Sequence, residues 1–574
     1  MPSAILENLK KMPLNPTFRT SLNKSSQFCI FWDGCMYQSK NLDHLGIVAA
    51  VCNEIQIEEE INKITGIDPR QKVTCGQAVK DMTLNTLGFV DRTLYLFPEF
   101  FRTKPVELLI GKGVHADDFN DDCLGRTLDK LYDAGLEETF MRVAANAQHY
   151  EGNNRFYHSD TSSMSLQGEY IPVKGDIDAA PITITHGFSK DNRPDLKQFV
   201  VSLITGRHLP MFIQTLSGNT SDKEHFRILA KTYADSLDKV WNDDRIWVWD
   251  SAFYTKKNLL SVPKDLRWIS RVPETLNDAK KLISTVKSDD LKKSKTLDGY
   301  HLISAEMVYG GIRQRWILVF SEKAYARETR TLEKRIHREK ERLEKKLWHL
   351  SKQGFNCKDD ALQAVETLQQ KWRYHTLKDV KVTVEKRKDS GGRGRPKNTD
   401  SLKPVFFVHV TITRDEDKVQ QKLLRKGRFI IATNVFDNEL SDEDIVQAYK
   451  DQQQVGRGFR FLKDSLFFAH SLFLKNEKRI MAMVMIMGLG LLVYALAERK
   501  LRMMLKQVHE TVPDQKGKPT DHLTIRRMFQ VFEGISVLYD TDGVLLEVMN
   551  IRETPRKVLS LFGREYEAVY GIGV

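Results

Sequence analysis

Tyr449-Lys-Asp-Gln-Gln-Gln-Val-Gly-Arg-Gly-Phe-Arg-Phe-Leu-Lys463 is the stretch on which the reading of this chain turns. Ser441 stands where a helix cap belongs, and the pattern predicts one long helix from about Asp442 past Lys463. Tyr449, Gln452, Gly456 and Lys463 fall at offsets 0, 3, 7 and 14. At about 100° per residue they lie within roughly 60° of one another and form one stripe. Arg460 joins it. Arginine and lysine on one helical face suit a scissile phosphate if carboxylates stand opposite. Alone, such a face is a solvated cationic surface.

Working outward, Asp160 and Asp250 each close an expected strand, over 155–160 and 245–250, and each opens a polar stretch. Two carboxylates at neighbouring strand ends can share Mg²⁺, with Mn²⁺ able to substitute, because such ions take oxygen ligands and keep some waters. Two ions a few Å apart can activate a water or a 3′-hydroxyl and stabilise the leaving oxygen of a phosphodiester. Aspartate also ends strands simply because it suits turns.

Further strands are expected over 182–186 and 209–216. Ser221 and Glu224 read as a capping box before Phe226, Leu229, Tyr233 and Leu237 on one helical face. Strand–helix–strand order argues for a mixed α/β sheet. Residues 41–150 read as helical throughout. Thr74 with Gln77 makes a capping box, Asn120 caps a helix carrying Leu124, Leu128 and Leu131, and Gly135 is a helix stop.

Residues 260–435 interrupt the sheet. A hairpin is expected at Gly310-Gly311. The charged stretch 322–350 carries Ile336, Leu343 and Leu350 seven apart, with Leu332 and Leu347 beside them. Ala361, Val365, Leu368 and Trp372 give a matching stripe, so 322–375 reads as an αα-hairpin or short coiled-coil arm. Its charges are by default a solvated face. The basic loop 386–397 contains Arg393-Gly-Arg395-Pro396, which resembles an AT-hook whose arginines enter the minor groove of A·T-rich DNA. The plainer reading is a flexible basic linker. Strands return at 405–411 and 429–433.

The whole chain, 574 residues with 88 Lys plus Arg against 76 Asp plus Glu, carries a net charge of +12. That balance favours a polyanionic partner, and the length calls for several folding units. Six cysteines show no C-x-x-C pair and no zinc spacing, which suits reduced thiols in a cytoplasmic protein. The N-terminus has no signal-peptide pattern. Residues 480–497 are apolar enough to span a bilayer, but two glycines and the soluble context favour a buried core helix, and no membrane partner is expected.

Segment 449–463 resembles the signature Y-x2-R-x3-E-x6-K of insertion-sequence transposases of the DD(E) superfamily, in the subgroup with Gln in place of Arg. Further resemblances follow in chain order: His158-Ser-Asp160-Thr-Ser, the run from Gly187 to Lys197, Leu216-Ser-Gly-Asn-Thr-Ser221, Asp250-Ser-Ala-Phe-Tyr254 and Phe468-Ala-His-Ser-Leu-Phe-Leu474. Residues 41–145 resemble that subgroup's helical N-terminal domain. The resemblance implies an α/β (α+β) multidomain protein: a ribonuclease H-like catalytic core, an N-terminal all-α domain and a mixed strand and helical-arm insertion. The expected division is a lead over 1–40, a helical DNA-binding domain over 41–150 and core parts over 151–259 and 436–500. The insertion occupies 260–435 and a C-terminal region 501–574.

The resemblance also implies Asp160 and Asp250 as ligands of Mg²⁺, and Tyr449, Gln452 and Lys463, with Arg460, as DNA contacts. Its partners would be double-stranded DNA, both inverted repeats and target, and a second copy in a synaptic homodimer. Its place would be the cytoplasm, on the nucleoid. One departure matters: the third catalytic carboxylate, a Glu, falls where this chain has Gly456. Two function classes follow. One is an enzyme that binds terminal inverted repeats, cuts them and joins them to a target. The other is a DNA-binding repressor or relic without catalysis. A membrane-anchored protein, the third class, rests on 480–497 alone.

Overall fold

The computed structural model describes residues 20–22, 28–32, 35–88, 96–150, 155–168, 170, 181–207, 209–221, 245–388, 402–436, 439–464, 474–540 and 542–573. The chain forms two compact units: one of residues 1–253, 261–267 and 450–574, the other of 254–260 and 268–449.

The first unit begins with an antiparallel set, β1 (Thr20–Leu22), β2 (Phe28–Trp32) and β3 (Cys35–Asn41), strands that the sequence did not announce. Helices follow, chief among them Leu45–Glu54, Ile57–Thr65, Cys75–Thr86, Asp121–Ala134 and Leu136–Ala145. Their ends follow local chemistry. Thr74 and Gln77 exchange side-chain and backbone hydrogen bonds at 3.1 Å, satisfying two orphan donors of the first turn. Asn120 accepts from the Cys123 amide at 2.9 Å, and Leu124, Leu128 and Leu131 are fully buried below it. Gly135 ends that helix at φ 91°, where a side chain would be strained.

Four strands of this unit lie in the order β6-β5-β4-β7: β4 (Phe156–Leu166), β5 (Lys197–Gly206), β6 (Leu209–Leu216) and β7 (Ile246–Trp249). β4 pairs antiparallel with β5 and parallel with β7. Two expectations are corrected. The strand expected to stop at Asp160 runs on to Leu166, because residues 161–166 continue the ladder against 197–202. The stretch 182–186 is no strand but a single bridge, Thr185 to Gln198. There the backbones of Gly187 and Gly218 approach so closely that a Cβ on Gly187 would fall 2.1 Å from the Gly218 carbonyl oxygen. The capping box at Ser221 and Glu224 and its helix lie mostly outside the described residues.

The second unit holds an antiparallel sheet in the order β8-β14-β11-β10-β9, from β8 (Arg267–Val272), β9 (Lys292–Lys293), β10 (Tyr300–Tyr309), β11 (Ile312–Ser321) and β14 (Arg428–Thr433). β10 and β11 meet at Gly310-Gly311, both with positive φ (63° and 81°), as a two-residue hairpin turn requires.

The arm is richer than a helical hairpin. Helix Glu322–Ser351 buries Leu332, Ile336, Leu343, Leu347 and Leu350, and helix Lys358–Gln369 buries Ala361 and Val365. Both stripes converge on a ribbon, β12 (His375–Lys388) with β13 (Leu402–Arg414). Val408 joins Leu343, Leu347, Leu350, Ala361, Val365 and Trp372 in one core, flanked by Val380, Val382, Val410 and Ile412. A two-stranded ribbon is marginal alone and needs such cover. Of the basic loop 386–397, Lys386 to Lys388 end β12, while Arg393 and Arg395 lie outside the described residues.

The long helix expected past Lys463 is broken. Asp442–Asp451 is helical, Gln452–Gln454 is a 3₁₀ turn, and Val455–Leu462 is helical again. Helix Glu477–Gln507 follows, long and apolar enough to cross a membrane, with 78% of its most apolar stretch buried inside the structure. A Cβ on its Gly488 would stand 3.0 Å from both Ile213 and Phe140, so this helix packs the strands and the N-terminal helices into one core. Short strands β15 (Val512–Pro513) and β16 (Pro519–Thr520) precede the hairpin β17 (Ser536–Tyr539) and β18 (Leu545–Met549), and β17 pairs with β3. The C-terminal helix Arg564–Val569 is tied in by Glu54, which accepts from Tyr150, Tyr566 and Lys500 together.

Candidate functional site

Parallel pairing of β4 with β7 runs Phe156 to Ile246, Tyr157 to Trp247 and His158 to Val248. Asp160 and Asp250 each lie two residues past the last pair of this ladder, Asp160 within β4 and Asp250 just after the end of β7. Asp160 therefore sits in mid-β4, at the level where β7 ends, rather than at the end of its own strand. Both residues are half-buried. The Asp160 carboxylate accepts from the Thr161 amide at 2.7 Å and faces the Lys190 ammonium at 3.9 Å. Asp250 accepts from the Ala252 amide at 2.9 Å, the bond of an Asx turn that leads the chain off the sheet.

Lys190 is a neighbour that sequence reasoning did not single out. Its ammonium donates to the Thr161 carbonyl at 2.6 Å and its amide to Ser163 at 2.8 Å, which fastens its loop along β4. No periodicity could have found it, since a loop contact has none.

The signature segment is docked on the same face. His158 and Asp160 are alternate residues and share a side of the sheet. Gln452 Nε2 donates to the Ser159 carbonyl at 3.0 Å, so its Oε1 is the acceptor and the His158 Nδ1–H donates to it at 3.1 Å. Burial lowers the His158 pKa to about 4 and keeps the ring neutral in this pairing. This pair of bonds accompanies the 3₁₀ turn at 452–454, which a continuous helical stripe did not foresee.

Beyond the turn, Gly458 packs against β5 and helix Glu477–Gln507, for a Cβ there would meet Leu203 at 2.9 Å and Leu491 at 3.2 Å. Gly456 is half-buried on a different flank, and a Cβ built on it meets nothing within 4 Å. Lys463 pairs with Asp191 at 2.6 Å, next to Lys190. Gln452 thus ties the start of the segment to β4 beside Asp160, and Lys463 ties its end to Asp191. Arg460 is exposed and folds back on the Gly456 carbonyl at 3.4 Å. Tyr449 is half-buried in helix Asp442–Asp451 and belongs to the second unit.

Chemically the site offers the carboxylates of Asp160 and Asp250, with the Lys190 ammonium 3.9 Å from the first. Among the described residues, no group of three or more His, Cys, Asp or Glu is arranged to hold a metal. Segment 468–474 lies outside the described residues except for Leu474.

Residues 37–145 match a family described as a domain of unknown function, DUF4277. No curated protein matches the chain. Among solved structures it is similar to the cryo-EM structure of a piggyBac transposase synaptic complex with hairpin DNA, at 14% identity and a TM-score of 0.24. That similarity covers 48% of this chain and 58% of the other, so the chain spans less than two thirds of that protein's length.

Proposed function

We propose that this chain is a DNA strand-transfer protein of the DD(E) transposase type, acting on the inverted-repeat ends of its own element as a homodimer on the nucleoid. The observation that carries the reading is the parallel pairing of β4 with β7, whose last pair lies two residues before Asp160 and Asp250, together with Gln452 of the signature segment bonded to His158 and Ser159. Asp160 and Asp250 supply the hard oxygen donors that suit Mg²⁺ or Mn²⁺. Bound there, such an ion would polarise a scissile phosphodiester and acidify an attacking water. Lys190, and Lys463 beside it, supply positive charge for the DNA backbone. Gln452 spends its amide on the protein, so its part is to hold the segment in place rather than to touch DNA.

One observation favours a second reading, a DNA-binding repressor or relic. Position 456 offers no carboxylate, and two acids hold a two-ion site poorly. On balance the chain binds element ends and cuts them weakly or not at all. The test is full-length protein mixed with DNA from the flanks of its own coding region, in Mg²⁺ and in Mn²⁺, scored separately for binding and for nicking. Site-specific binding at the ends is the expected result. Binding no better than to unrelated duplex would sink the transposase reading.

A further inference from the structure

The arm carries a second charged surface that the strand-transfer site does not use. On helix Glu322–Ser351 the apolar stripe divides the charges. At about 100° per residue, Arg335, Arg338, Arg342 and Lys346 line one flank over roughly 16 Å of axis, and Glu333, Glu341 and Glu344 lie on the other. Most of the acidic flank is already engaged: Glu344 pairs with Lys340 and Glu333 with Arg414, and Glu341 lies 3.3 Å from the His337 ring. On the basic flank, Arg335, Arg338 and Lys346 are exposed and make no ion pair among the described residues. Arg342 reaches only the buried Glu339, at 3.6 Å.

The flank opens into a groove. A cavity of about 510 Å³ beside it is also lined by Lys371 and Arg373. Two adjoining hollows share Arg373 or Arg335 with it and continue past Lys422 and Arg425 of the next helix, Glu416–Leu423, and its C-terminal turn. The groove's carboxylates are already engaged. Glu339 accepts from the Arg373 and Tyr374 amides and pairs with His375, Glu328 accepts from the Gly427 amide and Glu274 meets Arg271. The surrounding charge is therefore fixed as positive by the fold, in a row whose geometry is set by one straight helix.

We infer that this groove binds the phosphate backbone of duplex DNA, as a positioning surface separate from the cutting site. A row of cations three or four residues apart, of which only Arg342 meets an acid, matches a periodic polyanion rather than a single phosphate. The inference shares with the strand-transfer reading only its partner, duplex DNA. It owes nothing to the basic loop 386–397.

The experiment measures duplex affinity of the full-length protein by fluorescence anisotropy across a salt series. It compares the wild type with Arg335→Gln/Arg338→Gln/Arg342→Gln/Lys346→Gln. Each lost phosphate contact lowers the slope of log K against log salt by about 0.9, so the quadruple variant should lose about 3.6 and bind about tenfold or more weakly. A charge-matched control, Lys293→Gln/Lys295→Gln/Lys323→Gln/Lys340→Gln, should keep the wild-type slope. The single Arg338→Gln variant, least able to disturb folding, should lose about 0.9. Equal slopes for wild type and quadruple variant overturn the inference and leave the strand-transfer reading standing. Equal losses in the control overturn it too, since net charge alone would then explain the effect, as does competition by polyglutamate as effective as that by duplex. A wild-type protein that binds no duplex overturns both readings.

Discussion

Gly456→Glu is the substitution on which the catalytic reading can be broken. A Cβ at 456 enters open space, so the new side chain meets no steric charge at its root. Replacing a helical glycine is worth about 1 kcal/mol, and a carboxylate in the first turn of Val455–Leu462 adds a few tenths through the helix dipole. Against this, if position 456 faces Asp160 and Asp250, a third carboxylate there costs about 1 kcal/mol of repulsion while no cation is bound. The variant should therefore unfold within a degree or two of the wild type in EDTA. In Mg²⁺ the balance changes, because an ion that binds the folded site adds stability by mass action, about 2.7 kcal/mol at a hundred times its Kd. The Mg²⁺-induced rise in Tm should be larger in the variant than in the wild type. Nicking of end DNA should rise by on the order of 10²-fold or more, with binding unchanged. Rapid cleavage by the glycine protein would show that another group completes the site. A variant losing 2 kcal/mol or more in EDTA would show that position 456 does not look into open space, and the argument would fail at its geometry.

Three further outcomes check the framework. Gln452→Ala strands the Ser159 carbonyl and the His158 ring, and should cost about 1–3 kcal/mol in chemical denaturation; no loss would mean the segment is not anchored there. His44, buried against Phe529 and bonded to the Leu87 carbonyl, is lowered by desolvation from the ordinary histidine value of 6.5 to about 4. The unfolded chain then binds a proton that the folded one refuses, so stability present above pH 6.5 falls as pH drops towards 4, by about 2–3 kcal/mol at pH 4.5. His44→Gln should flatten that part of the pH profile, and an unchanged profile would deny the burial. Gly311→Val, at φ 81°, should cost about 1–2 kcal/mol, while Gly310→Asn should be tolerated; equal effects would contradict the hairpin turn.

What was legible in the sequence is what neighbouring residues decide among themselves. The Thr74 capping box, the Asn120 cap, the Gly135 stop and the Gly310-Gly311 turn each depend on a few consecutive residues, and each is present. β5 escaped notice because it is buried on both faces and so shows no alternation. The arm's helical stripes were visible, but their true partner was a ribbon whose strands lie on either side of residues 389–401, and no spacing within the helices announces it. The 3₁₀ turn at Gln452 was unreadable for a related reason: it is set by Ser159 and His158, almost three hundred residues earlier.

The candidate site divides along the same line. Asp160, Asp250 and the segment 449–463 could be picked out one by one, whereas their juxtaposition depends on strand register, which is non-local. The missing acid shows what the structure adds. From sequence, Asp451 and Asp464 could be ranked as substitutes only by helix geometry, and Asp191 not at all. In the fold Asp464 faces Arg526 at 3.9 Å, and Asp191 is held by Lys463 at 2.6 Å. A carboxylate already neutralised by lysine is a poor ligand for a divalent ion, because binding would first have to break that pair. The same lysine is the residue expected to meet DNA. If a phosphate drew Lys463 away, Asp191 would be released from its ion pair at the moment substrate arrives. Lys463→Met should then raise Mg²⁺-dependent nicking if Asp191 can serve as the third acid, and leave it at background if only a side chain at 456 can. Background activity in Lys463→Met together with activity in Gly456→Glu would assign the third position to 456 alone.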